Sequence, residues 1–63
     1  MTPAEILTRA LRHETATIRD TPAGAHIAPD GDPARIVATL HAFAWTHHVN
    51  PDGTITVPAA AFA

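Results

Sequence analysis

Sixty-three residues, a formal charge of −2 and no cysteine describe one small domain without disulfides or thiolate metal sites. A chain this short buries only about 60% of the surface its unfolded form exposes, so oligomerisation, a partner or a histidine–carboxylate metal site are the supports left to it. The charge gives no general attraction to nucleic acid or anionic lipid, although protonating all five histidines would carry it from −2 to +3.

The apolar fraction of 46% is that of a folded protein. No apolar stretch approaches the length of a membrane span, and no basic segment followed by an apolar run opens the chain. A cytoplasmic protein with no membrane contact is the expectation.

Thr2-Pro3-Ala4-Glu5 is a capping box with proline at the first helical position. It starts a helix expected over about 3–20. Leu7, Ala10, Leu11 and Ile18 form its apolar stripe, and Arg9, Arg12 and Arg19 lie on the other side. Glu14 is the misfit, because it projects within that stripe. Thr21 precedes Pro22, which pushes it out of the helical region and ends the helix.

Residues 21–31 form a connector holding Pro22, Gly24, Pro29 and Gly31, with a possible short strand at 25–28. Asp32 then caps a central helix expected over about 33–47, with Pro33 at its first position. Ile36, Val37, Leu40, Phe43, Ala44 and His47 fall on one face at about 100° per residue. Ala34, Ala38, His41 and Trp45 fall roughly opposite, and that face is small, aromatic and uncharged. The alternative is a helix that stops near Ala44, with a strand from Trp45.

Asn50-Pro51-Asp52-Gly53 reads as a type I turn closed by a glycine bulge. Thr54-Ile55-Thr56-Val57 reads as a strand, by its alternation and β-branching. Its partner is residues 46–49 if the central helix ends early, and 25–28 otherwise. Pro58 ends it, and an apolar tail follows over 58–63. The expected fold is therefore α+β: a two-helix domain with a short connector strand and a C-terminal β-hairpin or strand, all within one domain over 1–63.

The chemistry-bearing residues are sparse. Helical metal ligands want spacings of three or four, whereas His41 and His48 are seven apart, about 10 Å along a helix axis. The run from His48 to Ile55 matches half a calcium loop, but both closing carboxylates are missing. No metal and no cofactor are expected. Serine and cysteine are absent, which removes the common nucleophiles. Glu14 is left as a lone candidate acid or base, better explained by a pairing with arginine or histidine across an interface, or by a stripe edge that stays wet, than by catalysis.

The expected function is a non-catalytic protein–protein interaction module that self-associates or binds a larger partner protein. Its interface would be Ala34, Ala38, His41 and Trp45, with Phe62 of the tail as a second contact. Small residues allow close approach and tryptophan is an anchor type. The alternative is an accessory DNA-binding protein of reduced winged-helix-like type, with Arg9, Arg12 and Arg19 tracking phosphates along the first helix. Against that alternative, Glu5, Glu14 and Asp20 balance the arginines within the same segment.

Overall fold

The computed structural model of the chain describes residues 1–62, so the last residue of the expected tail lies outside it. Thr2 opens the first helix, α1 (Pro3–Ala10), with both bonds of the capping box. Glu5 N–H donates to Thr2 Oγ1 at 3.3 Å, and Thr2 N–H donates to Glu5 Oε1 at 3.4 Å. A third acceptor comes from far along the chain: Asp20 Oδ1 takes the Ala4 N–H at 3.0 Å. The orphan donors of the first turn are thus satisfied partly by a strand.

That strand is the principal correction to the sequence reading. The helix expected over 3–20 stops at Ala10, and residues 16–21 form a strand, β1 (Ala16–Thr21). Leu11 N–H closes the helix on Leu7 O at 2.8 Å, and Glu14 N–H turns the chain back onto Leu11 O at 2.8 Å. Ile18 still reaches the core, but from a pleated strand rather than a helical stripe. The β-branched residues Thr15, Thr17, Ile18 and Thr21 favour that outcome, and isolated helical periodicity cannot veto it.

A two-residue connection, Pro22-Ala23, leads into β2 (Gly24–Pro29), which pairs antiparallel with β1 from Thr21↔Gly24 to Ala16↔Pro29. The second helix, α2 (Ala34–Ala42), has Pro33 at its N-cap in place of the expected Asp32, whose Oδ1 still accepts the Ala34 N–H at 3.0 Å from one residue further back. It is shorter than the expected 33–47. β3 (His48–Val49) and β4 (Ile55–Pro58) follow, and a 3-10 turn (Ala59–Phe62) ends the described chain. β4 pairs with both β2 and β3, so the two candidate partners of the last strand both hold it. The result is a four-stranded antiparallel sheet in the order β1-β2-β4-β3 with two helices, in place of a two-helix domain with a connector strand and a hairpin.

The helix ends early because the backbone after α2 closes a Schellman motif. Ala44 N–H donates to His41 O and Trp45 N–H to Leu40 O, both at 3.0 Å. Ala44 sits at the left-handed position with φ 57°, where glycine is the usual residue. The left-handed conformation costs about 1–2 kcal/mol for a residue with a Cβ. Part of that is offset in an alanine-to-glycine change, because glycine is freer in the unfolded chain. Ala44→Gly is therefore expected to stabilise the domain by about 0.5–1 kcal/mol, seen as a rise of about 3–6 °C in a thermal melt. A fall in melting temperature would mean that α2 does not end in this motif.

One face of the sheet carries the core. Leu7 and Leu11 come from α1 and its cap, Ala25 and Ile27 from β2, Ile36 and Leu40 from α2, and Ile55 and Val57 from β4, all buried. The alternation of β4, with Ile55 and Val57 inward and Thr56 outward, is the period-two pattern of a half-covered sheet. The opposite face carries Thr17, Arg19, His26 and Thr56, none of them buried.

Candidate functional site

The two margins of the sheet differ. β3 is two residues long, which leaves little ladder to extend. β1 is six residues long and contains neither proline nor lysine, two of the devices that natural edge strands use to prevent pairing.

The direction of each backbone group on β1 follows from the hairpin. A two-residue connection is closed by a hydrogen-bonded pair, here Thr21 and Gly24. Alternation then directs the N–H and C=O groups of Thr17, Arg19 and Thr21 toward β2. The series continues beyond the strand, where Asp30 N–H donates to Thr15 O at 3.0 Å. Pro29, which has no N–H, stands opposite Ala16, a position that asks for no bond across the pair. The backbone groups of Ala16, Ile18 and Asp20 therefore point away from β2, and among the described residues no strand lies on that side.

The side chains of those three residues share the helical side of the sheet. Ile18 and Ala16 are half-buried against the core, and Asp20 reaches the start of α1. A hollow of about 410 Å³ lies beside Asp20, between the α1 residues Ala4, Glu5, Thr8 and Arg9 and the β1 margin.

The structure separates the arginines expected to form a row on one helix. Arg9 is on α1, Arg12 is in the turn after it, and Arg19 is on the open face of β1. Arg12 Nε donates to His13 Nε2 at 3.3 Å. A different row appears across the open sheet face, where the register aligns Arg19, His26, Thr56 and His48 on four successive strands. Asp52 stands in the turn between β3 and β4. Its carboxyl is held below the ordinary range mainly by hydrogen bonds from Thr54: Oγ1 donates at 2.6 Å and N–H at 3.0 Å.

No protein-family model, curated protein or solved structure matches the chain.

The expected interface residues are not brought to one face. Ala34, Ala38 and His41 are exposed on α2, but Trp45 has left the helix after the Schellman turn. Trp45 stacks on Phe43 with ring centroids 4.5 Å apart and 11° between planes, and Phe62 leans on it at 5.2 Å. Much of the tryptophan surface is therefore spent within the chain. Trp45 also lines a shallow hollow of about 330 Å³ with the exposed Met1 and Phe43, the half-buried Ile6 and Ala10, and Arg9. His47 Nδ1 lies 2.9 Å from the Trp45 carbonyl oxygen, and its ring meets His41 edge-on at 5.0 Å.

Glu14 finds its arginine within the same chain. Its Oε1 lies 3.4 Å from Arg35 Nε, with the arginine 81% exposed and the glutamate 16% exposed. An ion pair that wet on one side contributes at most about 1 kcal/mol. Among the described residues no three histidines or carboxylates gather to hold a metal ion. No helix among them is long and apolar enough to cross a membrane.

Edge and row alike went unseen in the sequence because both depend on β1. The signal that could have found it is the alternation of Ala16 and Ile18 with Thr17 and Arg19, followed by Thr21-Pro22-Ala23-Gly24 as a turn.

Proposed function

We propose that the protein is a non-catalytic interaction module that works as a homo-oligomer, associating through the free edge of β1. The observation that carries this reading is the unpaired, proline-free margin formed by Ala16, Ile18 and Asp20, at one side of a sheet whose other margin is only two residues long. An exposed edge is a template for another strand, and adding one supplies backbone hydrogen bonds worth about 0.5–1.5 kcal/mol each. Small size adds to the case, since a chain of 63 residues gains proportionately more from a shared surface than a large one does. The lack of serine and cysteine, the common nucleophiles, favours the non-catalytic reading.

A few backbone bonds set against the cost of association make the expected affinity weak, in the micromolar-to-millimolar range. Sedimentation equilibrium across that range is expected to show mass rising from one chain to two. A chain made by total synthesis with an N-methyl group on Ile18 keeps every side chain and loses one outward donor. It is expected to remain folded and monomeric. A mass of one chain for the unmodified protein at millimolar concentration overturns the reading.

A further inference from the structure

We infer that two copies join β1 to β1 antiparallel about a two-fold axis at Ile18, making one continuous eight-stranded sheet. This rests on the self-association proposed above and adds its register and symmetry. Pairing of the same edge in both copies gives an isologous, closed contact rather than an open chain of subunits.

The register follows from pleat, hydrogen bonding and charge together. Residues directly opposite in an antiparallel pair share a face of the sheet. In β1 the even-numbered residues face the helical side and the odd-numbered residues face the open side. Position numbers in each opposed pair must therefore sum to an even number, which leaves 34, 36 and 38 as the central choices. A sum of 38 sets Arg19 against Arg19 of the partner subunit, like charges directly opposed, and Ile18 against the carboxylate of the partner's Asp20. It also brings Pro22, without an N–H, opposite the partner's Ala16. A sum of 34 sets Asp20 against the partner's Glu14, and Glu14 lies outside the strand in a bend.

A sum of 36 opposes no like charges, and Pro22 falls opposite the partner's Glu14, where both lie beyond the strand. Ile18 opposes the partner's Ile18, so two half-buried side chains at the ends of two cores cover each other. Ala16 opposes the partner's Asp20, and Thr17 opposes the partner's Arg19 on the open face. The outward groups of Ala16, Ile18 and Asp20 then all find partners, because each opposed even-numbered pair is a hydrogen-bonded one.

The chain has no cysteine, so single cysteines report the register without interference. Hydrogen-bonded opposed residues have Cα atoms about 5.5 Å apart, and the other opposed pairs about 4.5 Å apart. Both separations are within the reach of a disulfide. Under mild oxidation Ile18→Cys is expected to cross-link to itself at least tenfold more than Thr17→Cys or Arg19→Cys. In those two the like positions lie two residues out of step, about 8 Å apart, beyond that reach. Mixed Thr17→Cys and Arg19→Cys chains are expected to cross-link with each other in preference to themselves. That mixture leaves Ile18 intact and reads the register even if Ile18→Cys fails to fold. Self-linking of Arg19→Cys in a protein that sediments as a dimer overturns the register while leaving self-association standing. A dimeric mass with no cross-link at any β1 position overturns the use of this edge. A single-chain mass throughout overturns self-association itself.

Discussion

Gly24→Ala is expected to remove most of the stability of the domain. Gly24 is buried with φ 148°, a backbone conformation that a residue with a Cβ rarely adopts. A Cβ built there would lie 2.2 Å from the Val57 carbonyl oxygen, 2.6 Å from the Ala59 nitrogen and 2.8 Å from the Pro58 carbonyl carbon. All three atoms are backbone, so no side chain can swing away to make room. Gly24 also pairs with Pro58 across the ladder, and Ala59 N–H donates to Ala23 O at 2.8 Å. Relief therefore requires β4 and the terminal turn to move off β2 together.

Backbone strain of about 1–3 kcal/mol and overpacking of about 1–3 kcal/mol give a cost of roughly 2–6 kcal/mol. A domain of this size has a total stability of about 3–9 kcal/mol, so the substitution consumes most of it. Far-ultraviolet circular dichroism in a urea titration checks this. Gly31→Ala is the control, because nothing lies within 4 Å of a Cβ there and its φ is not in the left-handed region. A Gly24→Ala protein that unfolds at the wild-type midpoint would mean that β2 and β4 are not in contact at this point.

Leu40→Ala is expected to cost about 2–5 kcal/mol, the range for removing a buried leucine side chain from a core. Leu40 is fully buried, and with Ile36 it supplies the only two buried side chains of α2. The helix is held to the sheet by that pair and the half-buried Val37. Its loss is also expected to reach the aromatic cluster, because Trp45 N–H is bonded to the Leu40 carbonyl oxygen. Tryptophan fluorescence and circular dichroism followed together in denaturant test this. Both midpoints should fall, with Trp45 reporting solvent exposure no later than the loss of secondary structure. Ala38→Gly, at an exposed position of the same helix, should cost only about 1 kcal/mol. Equal losses from the two substitutions would place α2 away from the core.

Much of the local structure was legible in the chain because its causes are local. Thr2, Pro3 and Glu5 specify a helix start by donors and acceptors three residues apart, and the bonds of that box are in place. Asp32 accepts from Ala34 close to where the second helix starts, although the cap position itself falls on Pro33. Asn50 to Thr54 makes its turn from its own atoms, with Gly53 N–H donating to Asn50 O at 3.0 Å and Asn50 N–H to Thr54 O at 2.8 Å. The alternation of Ile55, Thr56 and Val57 likewise assigns a strand and its inward face without reference to any partner.

Tertiary structure decided where the helices end, and so decided the fold. Leu7, Leu11 and Ile18 fit one helical stripe, but the same three residues reach the same core when the third arrives on a strand. Periodicity alone cannot separate those outcomes, because it records which residues are buried and not the path between them. What separates them is β2: its N–H and C=O groups pair with β1 on one side and β4 on the other, and only a strand at 16–21 satisfies the first of these. Glu14 marked the place, since a carboxylate inside an apolar helical stripe is costly, and it stands instead in the bend, paired with Arg35. At Ala44 the position after the helix takes the left-handed backbone without glycine, and Trp45 and Phe62 meet beyond it. A stop near Ala44 was open in the sequence only as the alternative to a longer helix; the turn is accompanied by the stacking of Phe43 on Trp45 and by Phe62, seventeen residues further on, leaning on the same ring. The free edge of β1 is legible only at this level, since an edge is defined by the strand that is not beside it.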